Sequence, residues 1–572
     1  MRTPRLLIMI ALALSCAHRT EGPLVFRVAS PDFDPHFAYV EDLTGEAKAT
    51  TKSFEDGLLR LSPKNPLQSW RIVVMYPAAT FGRVMLTADN GGAGYRGDEG
   101  GLTLEAELLV TASRRLAARV AWAESEGWDL DTAAAEQIAA QGQRARDDDP
   151  DSLADTLDRT LWAAENLELD IADAATPSAR GASVVVTVTD PQGQPVPGAH
   201  VELTPDSPGL LIGNGAPLPM GGPVEEPILQ SFNYITLPFY LPQLKDARVG
   251  LTGLQPRHDN ARFLAERGLA LKGHPLVWLF DPHTPQWLSD LSYQELKEYV
   301  DEHVYSIVVE FAGEVDWWDV INEAHSWANS LDLGSEQLVE ITGVAAAAAK
   351  RANPDATVVV NTCLPWGDYI AWRGDDSMMT PYEYLQRCID ASVPFDVAGI
   401  QMYNAYASPF PCRDLTAMSD CLDRYSRLGK PIHVTEFVVP SAGGEFGTWH
   451  GDQWSPQLQA EYTDGFYRVC AGKPYVEAIT WWSIVDRDKE WAHTGLLFTE
   501  TEPKPALSVV RGHMERWTRP PAGRTGPDGT AVLRAWAGRF RITATAERGS
   551  ADGSLTLKPG EAATASLALA GR

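Results

Sequence analysis

Between about residue 206 and residue 517, short runs of Val, Ile, Leu and Trp recur at intervals, separated by stretches whose apolar residues fall at helical spacing. Eight such runs stand out in order: Leu210–Asn214, Tyr234–Thr236, Ala270–Trp278, Val315–Glu323, Thr357–Asn361, Asp396–Gln401, Ile432–Glu436 and Ala478–Ile484. Nearly all are apolar through their length and end on polar residues. That is the pattern of parallel strands buried on both faces, with a site built at their C-terminal ends. The prediction for 206–517 is a (β/α)8 barrel.

The flanks read differently. Residues 24–100 hold short alternating stretches such as Arg71 to Tyr76 and Arg83 to Thr87, broken by Asn90-Gly91-Gly92, and predict a small β domain. Residues 101–178 are rich in Ala, Leu, Glu and Arg at helical spacing, with a break at Asp147 to Asp151, and predict two or three helices. Ser183 to Thr189 and Ala199 to Leu203 read as two strands around a turn, too few to bury a face alone. Similar strands resume only after residue 524, at Thr530 to Leu533, Arg539 to Thr545, Ser554 to Leu557 and Thr564 to Leu569. One β sandwich made of 182–205 plus 524–571, with the barrel inserted in it, accounts for both pieces. The fold class expected is therefore α/β: a barrel inserted in a small sandwich, preceded by a β domain and a helical segment.

The first sixteen residues set Arg2 and Arg5 before an apolar run from Leu6 to Leu14, then Ser15 and Cys16. The run is too short to span a bilayer and reads as an export signal. Ala13-Leu14-Ser15-Cys16 resembles a bacterial lipobox, so a lipidated Cys16 on the cell surface or outer membrane is expected, with secretion or a periplasmic location otherwise. Five cysteines remain beyond it; Cys412 and Cys421 are candidates for a disulfide closing a short loop. The formal net charge of -28 is spread along the chain and disfavours nucleic acid or an anionic lipid surface as a partner. The twelve histidines include no HExxH pair, so neither a metal nor another cofactor is expected.

Thirteen of the eighteen tryptophans lie between 278 and 517, a crowding that favours a carbohydrate ligand, since indole faces stack on sugar rings. Two glutamates close barrel strands: Glu323 after Trp318-Asp319-Val320-Ile321-Asn322, and Glu436 after His433-Val434-Thr435. Cleaving a glycosidic bond takes two carboxyl groups flanking the anomeric carbon, about 5–5.5 Å apart when configuration is retained.

On these motifs, together with Gly273-His274-Pro275-Leu276-Val277-Trp278, Gly399-Ile400-Gln401, Thr480 to Asp486 and Lys504-Pro505-Ala506, segment 206–517 resembles glycoside hydrolase family 10, mainly β-1,4-xylanases. The flanking sandwich pieces resemble a bacterial lipoprotein branch of that family. The resemblance implies a polysaccharide substrate, with Glu323 as acid/base and Glu436 as nucleophile. It further implies that Asn322 bonds the sugar 2-OH, that His274 and Gln401 contact the glycone and orient the nucleophile, that Trp482 and Trp491 wall the site, and that Trp278 and Tyr403 are among the substrate-binding residues. Glu323 is expected to be kept protonated by the charge of an ionised Glu436.

Three positions depart from the family pattern. Leu237-Pro238-Phe239-Tyr240-Leu241-Pro242 replaces a polar glycone grip, with Phe239 and Tyr240 expected to offer stacking instead; Tyr403 stands where a histidine is common; and Leu279 replaces a second histidine. Other readings are a retaining hydrolase of a different β-glycan, and a surface glycan-binding lipoprotein that no longer catalyses.

Overall fold

The computed structural model describes residues 22–572 apart from 98, 146–148, 207, 247–249, 252, 282, 488–491, 548 and 572. The export signal, Cys16 and Trp491 lie outside the described residues.

Eight parallel strands close into a barrel: Leu211–Gly215, Tyr234–Pro238, Ala270–His274, Trp317–Asn322, Thr357–Thr362, Val397–Tyr403, Ile432–Val438 and Val476–Trp481. The first pairs with the eighth through Leu211 to Asn214 against Ala478 to Trp481, so no edge is left open. Their Val and Ile residues are buried almost without exception, as expected for strands covered by helices on one side and by the packed barrel interior on the other. The third and eighth strands stop earlier than predicted, at His274 and Trp481; Trp278 then rejoins the sheet through a single bridge to Asn322.

The barrel is inserted in a β sandwich. One sheet orders Thr530–Trp536, Gly181–Thr189 and Ala562–Ala568; the other orders Ala522–Arg524, His200–Pro205, Gly538–Ala546, Gly549–Leu557 and Ala570–Gly571. The two strands that precede the barrel do not form the hairpin predicted from sequence. Gly181–Thr189 pairs with Thr530–Trp536 and, in parallel, with Ala562–Ala568, while His200–Pro205 pairs with Gly538–Ala546. Each buries its Val and Leu side chains facing the other sheet, which is why neither piece is complete alone.

Ahead of these lie two four-stranded sheets. One contains Thr50–Glu55, Leu58–Pro63, Leu24–Arg27 and Leu102–Thr103; the other contains Ala47–Lys48, Tyr39–Asp42, Trp70–Ala78 and Gly82–Ala88. Three helices follow, Leu104–Ser125, Ala133–Arg144 and Pro150–Arg180. The last starts on a side-chain cap, Asp149 accepting from the Ser152 amide, with Pro150 at its first position, so the acidic run ends inside a helix start rather than a loop.

The disulfide considered between Cys412 and Cys421 is not formed. Both are free, buried thiols, as are Cys363, Cys388 and Cys470. Cys421 faces inward from the helix Leu415–Ser426 and Cys412 packs under the N-terminal sheet, where each serves as a small apolar side chain.

Candidate active site

The fourth strand delivers Asn322 and, one residue past its end, Glu323; the seventh carries Glu436. Glu323 sits at φ 59, a left-handed conformation that costs a β-type residue about 1–3 kcal/mol and recurs where a side chain must be aimed. Its carboxyl accepts from Gln401 Nε2 at 2.8 Å and from Trp278 Nε1 at 3.1 Å. Glu436 accepts from the Tyr403 hydroxyl on one oxygen and from Asn361 Nδ2 at 3.4 Å on the other. His274 Nε2 lies 3.7 Å from that second oxygen.

Asn322 Oδ1 accepts from Asn361 Nδ2 at 2.7 Å and from Gln401 Nε2 at 3.3 Å, while its side chain also hydrogen-bonds Glu323, which places the Nδ2 donors beside the catalytic carboxyl. Asn361 is held in turn by Thr435, whose hydroxyl donates to Asn361 Oδ1 at 2.5 Å. Beneath the pair, Asp319 Oδ2 takes Lys272 Nζ at 2.8 Å and His274 Nδ1 at 2.7 Å. Despite deep burial, which opposes it, Lys272 and His274 hold Asp319 below the usual carboxylate range. Burial pushes His274 down, against the pull of Asp319, so the imidazole is neutral with its proton on Nδ1.

Burial raises both glutamates, Glu323 to about 7 and Glu436 to about 8, the charge of Glu323 adding to the second shift. This corrects the sequence expectation twice over. The cause at Glu323 is desolvation rather than the charge of its neighbour, and Glu436 is not a resting carboxylate of ordinary acidity. The two titrate as a pair that holds one proton near neutral pH.

Aromatic rings line the space above. Trp482 lies edge-on to His274 with centroids 5.4 Å apart, and Tyr240 contacts His274, Trp278 and His283. Of the apolar replacement segment, Tyr240 thus reaches the site but Phe239 does not. Phe239 is fully buried against Phe311 and Trp318 between strand and helix, so the expectation that it offers a stacking face is wrong. Leu279 is buried as well. The crowding of tryptophans is also partly structural: Trp318, Trp449, Trp454, Trp481 and Trp517 are core.

Sequence reading missed Lys272, Asp319, Asn361 and His283. Asn361 carried a signal, as the polar residue ending the fifth predicted strand. Lys272 and Asp319 were visible as charges inside apolar runs; His283, stacked on Trp278 at 4.4 Å, comes from a loop with no such mark. Among the described residues no group of three or more His, Cys, Asp or Glu is arranged to hold a metal ion.

A closed parallel barrel with a buried, proton-sharing carboxyl pair at its strand ends and indoles around it has the features of a glycoside hydrolase. Residues 252–512, which take in six of the eight barrel strands, match the model of Glycosyl hydrolase family 10. Endo-1,4-beta-xylanase B of Thermotoga neapolitana is 27% identical over 279 residues, covering 46% of this chain and 74% of that protein. Beta-1,4-xylanase of Dictyoglomus thermophilum is 27% identical over 253 residues, covering 42% and 66%. Among solved structures, native xylanase 10B from Thermotoga maritima aligns with a TM-score of 0.43 at 23% identity, covering 54% of this chain and 95% of that one.

Proposed function

We propose that the protein is a retaining endo-β-1,4-xylanase-like hydrolase of β-linked plant-type polysaccharide, exported and anchored through a lipidated Cys16. The observation that carries the reaction type is the buried pair Glu323 and Glu436, each tethered by two donors and together raised so that one proton is shared near neutral pH. In the first step Glu436 attacks the anomeric carbon as the glycosidic C–O bond breaks, and the leaving oxygen draws the shared proton from Glu323. A glycosyl ester on Glu436 results. In the second step Glu323, now a carboxylate, takes a proton from water, whose oxygen displaces Glu436 and regenerates the β anomer. Asn322, its amide beside Glu323, bonds the 2-OH of the reacting sugar; His274 and Gln401 hold the glycone and the pair; Trp278 and Trp482 are walls, and Trp491 is assigned the same role.

A second reading, hydrolysis of another β-glycan, is favoured by one observation: Leu237 to Leu241 present only Tyr240 to the site where a polar grip was expected. Proton NMR of early product from xylan, mixed-linkage glucan and mannan tests both. The expected outcome is β anomer first, with xylan the best substrate. Early α anomer removes the nucleophile role of Glu436; a preference for glucan or mannan selects the second reading. No turnover of any glycan, with retained binding, leaves the non-catalytic binder.

A further inference from the structure

On the face of the barrel opposite the catalytic pair, the helical segment, the barrel and the sandwich meet around a cleft of about 660 Å³, within the range of small-ligand sites, about 300–1,000 Å³. Four arginines line it, drawn from all three parts: Arg180 at the end of the long helix, Arg516 and Arg519 at the end of the helix Pro505–Thr518, and Arg534 on the sandwich strand Thr530–Trp536. In a chain of net charge -28 this concentration of positive charge is out of keeping with the surface. The only carboxylate on the lining, Asp173, is already engaged by Arg468 through two bonds of 3.1 and 2.8 Å.

Arg180 is a fixed point. It is buried and donates to the carbonyls of Ala471, Gly209, Cys470, Lys473 and Val476, which close the bottom of the barrel. Arg516, Arg519 and Arg534 are exposed and make no ion pair among the described residues. Trp517 and Trp536 complete the lining, both more than nine-tenths buried, and the indole N–H of each lacks a hydrogen-bond partner. Trp517 lies within 6 Å of two of the guanidiniums, at 5.8 Å from Arg180 and 5.7 Å from Arg516. Like charges gathered from three separate parts repel one another, and an anion with several acceptor oxygens offsets that repulsion.

We propose that this cleft is a second ligand site, for a sugar acid: a uronic acid or a short oligosaccharide that carries one. The arginines supply the planar forks that match a carboxylate, and the indole edges and faces beside them suit a sugar ring better than a bare inorganic ion. The anion site stands on the cleft alone; the choice of a sugar acid rests on the hydrolase reading, since acidic sugars are then among the molecules this protein meets. Lying across the barrel from Glu323 and Glu436, the site holds the glycan without competing for the catalytic cleft.

Isothermal titration of the full chain with glucuronate, glucose and inorganic phosphate at one ionic strength tests this, alongside the Arg516→Gln/Arg534→Gln double variant. Saturable glucuronate binding, stronger than phosphate, absent for glucose, and weakened at least about tenfold in the variant, upholds the site, provided the variant melts at the same temperature as the unaltered chain. No glucuronate binding, phosphate binding as strong as glucuronate, or binding unchanged in the variant overturns it. Turnover of neutral glycan, measured in the same samples, reports separately on the hydrolase reading: its absence leaves the titration result to stand by itself.

Discussion

At the residue scale the protonation of one pair governs the chemistry. Retention needs a nucleophile without a proton and an acid with one, and Glu323 and Glu436 together meet that need only while they share a single proton. Both are raised by burial, to about 7 and about 8. Below about pH 7 the pair gains its second proton and the nucleophile is lost; above about pH 8 it loses both and the acid is lost. The kcat/KM profile is therefore expected to be a bell with its maximum between about pH 7 and 8. A maximum below pH 6 would mean that the donors on the charged forms, Gln401, Trp278, Tyr403 and Asn361, outweigh desolvation. Tyr403 matters here because a phenol donates a hydrogen bond without bringing positive charge, so with tyrosine at the position of the expected histidine the cation acting on Glu436 is Lys272, and His274 beside it is neutral.

At the scale of elements, what the sequence made legible follows from how local the cause is. The barrel strands were readable because a strand buried on both faces is apolar without interruption, and Thr357 or Ile432 could be placed to the residue. Ends were less so: His274 to Trp278 is as apolar as a strand, yet Pro275 cannot donate to the ladder. The sandwich hairpin was misread because the partners of Gly181–Thr189 lie more than 300 residues away, and nothing local says that a strand crosses to the other sheet. Phe239 was misread because an aromatic residue just past a strand end reads alike from sequence whether it faces the site or, as here, packs between strand and helix. The buried ion pair of the third and fourth strands joins element and site most directly. Asp319→Asn leaves Lys272, about 1% exposed, without its counter-charge and replaces the charged acceptor that fixes His274 by a neutral one. The expected loss is about 3–5 kcal/mol in denaturant unfolding, with kcat reduced in the folded fraction. A loss under about 1 kcal/mol would show that Lys272 finds another partner and that the pair does not hold the strands in register.

For the whole molecule, the N-terminal β domain grips the catalytic face of the barrel, and this bears on whether it is a platform or a binding module. Its edge strand Gly82–Ala88 runs beside the loop after the seventh barrel strand, Thr448 N donating to Arg83 O at 2.9 Å and His450 N to Phe81 O at 2.7 Å, and Met85 N donates to Cys412 O at 2.9 Å on the loop after the sixth. Arg83 also donates to the carbonyls of Gly444 and Glu445 at 2.6 and 2.7 Å. On the loop after the fifth strand, the Ala49 amide and Asn65 bind Asp376, at 2.6 and 2.5 Å, and Arg413, from the loop after the sixth, bridges Tyr39 and Asp368. Three of the eight loops that frame Glu323 and Glu436 are thus fastened from outside the barrel, and Glu165 of the long helix adds a fourth fastening at Trp449 and His450. A binding module raises activity on insoluble polysaccharide by concentrating enzyme on it and leaves small soluble substrates untouched; a clamp sets the loops for every substrate alike. Arg83→Ala removes two hydrogen bonds, about 0.5–1.5 kcal/mol each, from the loop that follows the nucleophile. It is expected to lower kcat on a soluble aryl β-glycoside and on insoluble xylan by the same factor, with binding to insoluble xylan unchanged in a pull-down. A loss confined to the insoluble substrate, together with weaker pull-down, would make the domain a carbohydrate-binding module whose contact with the barrel is incidental.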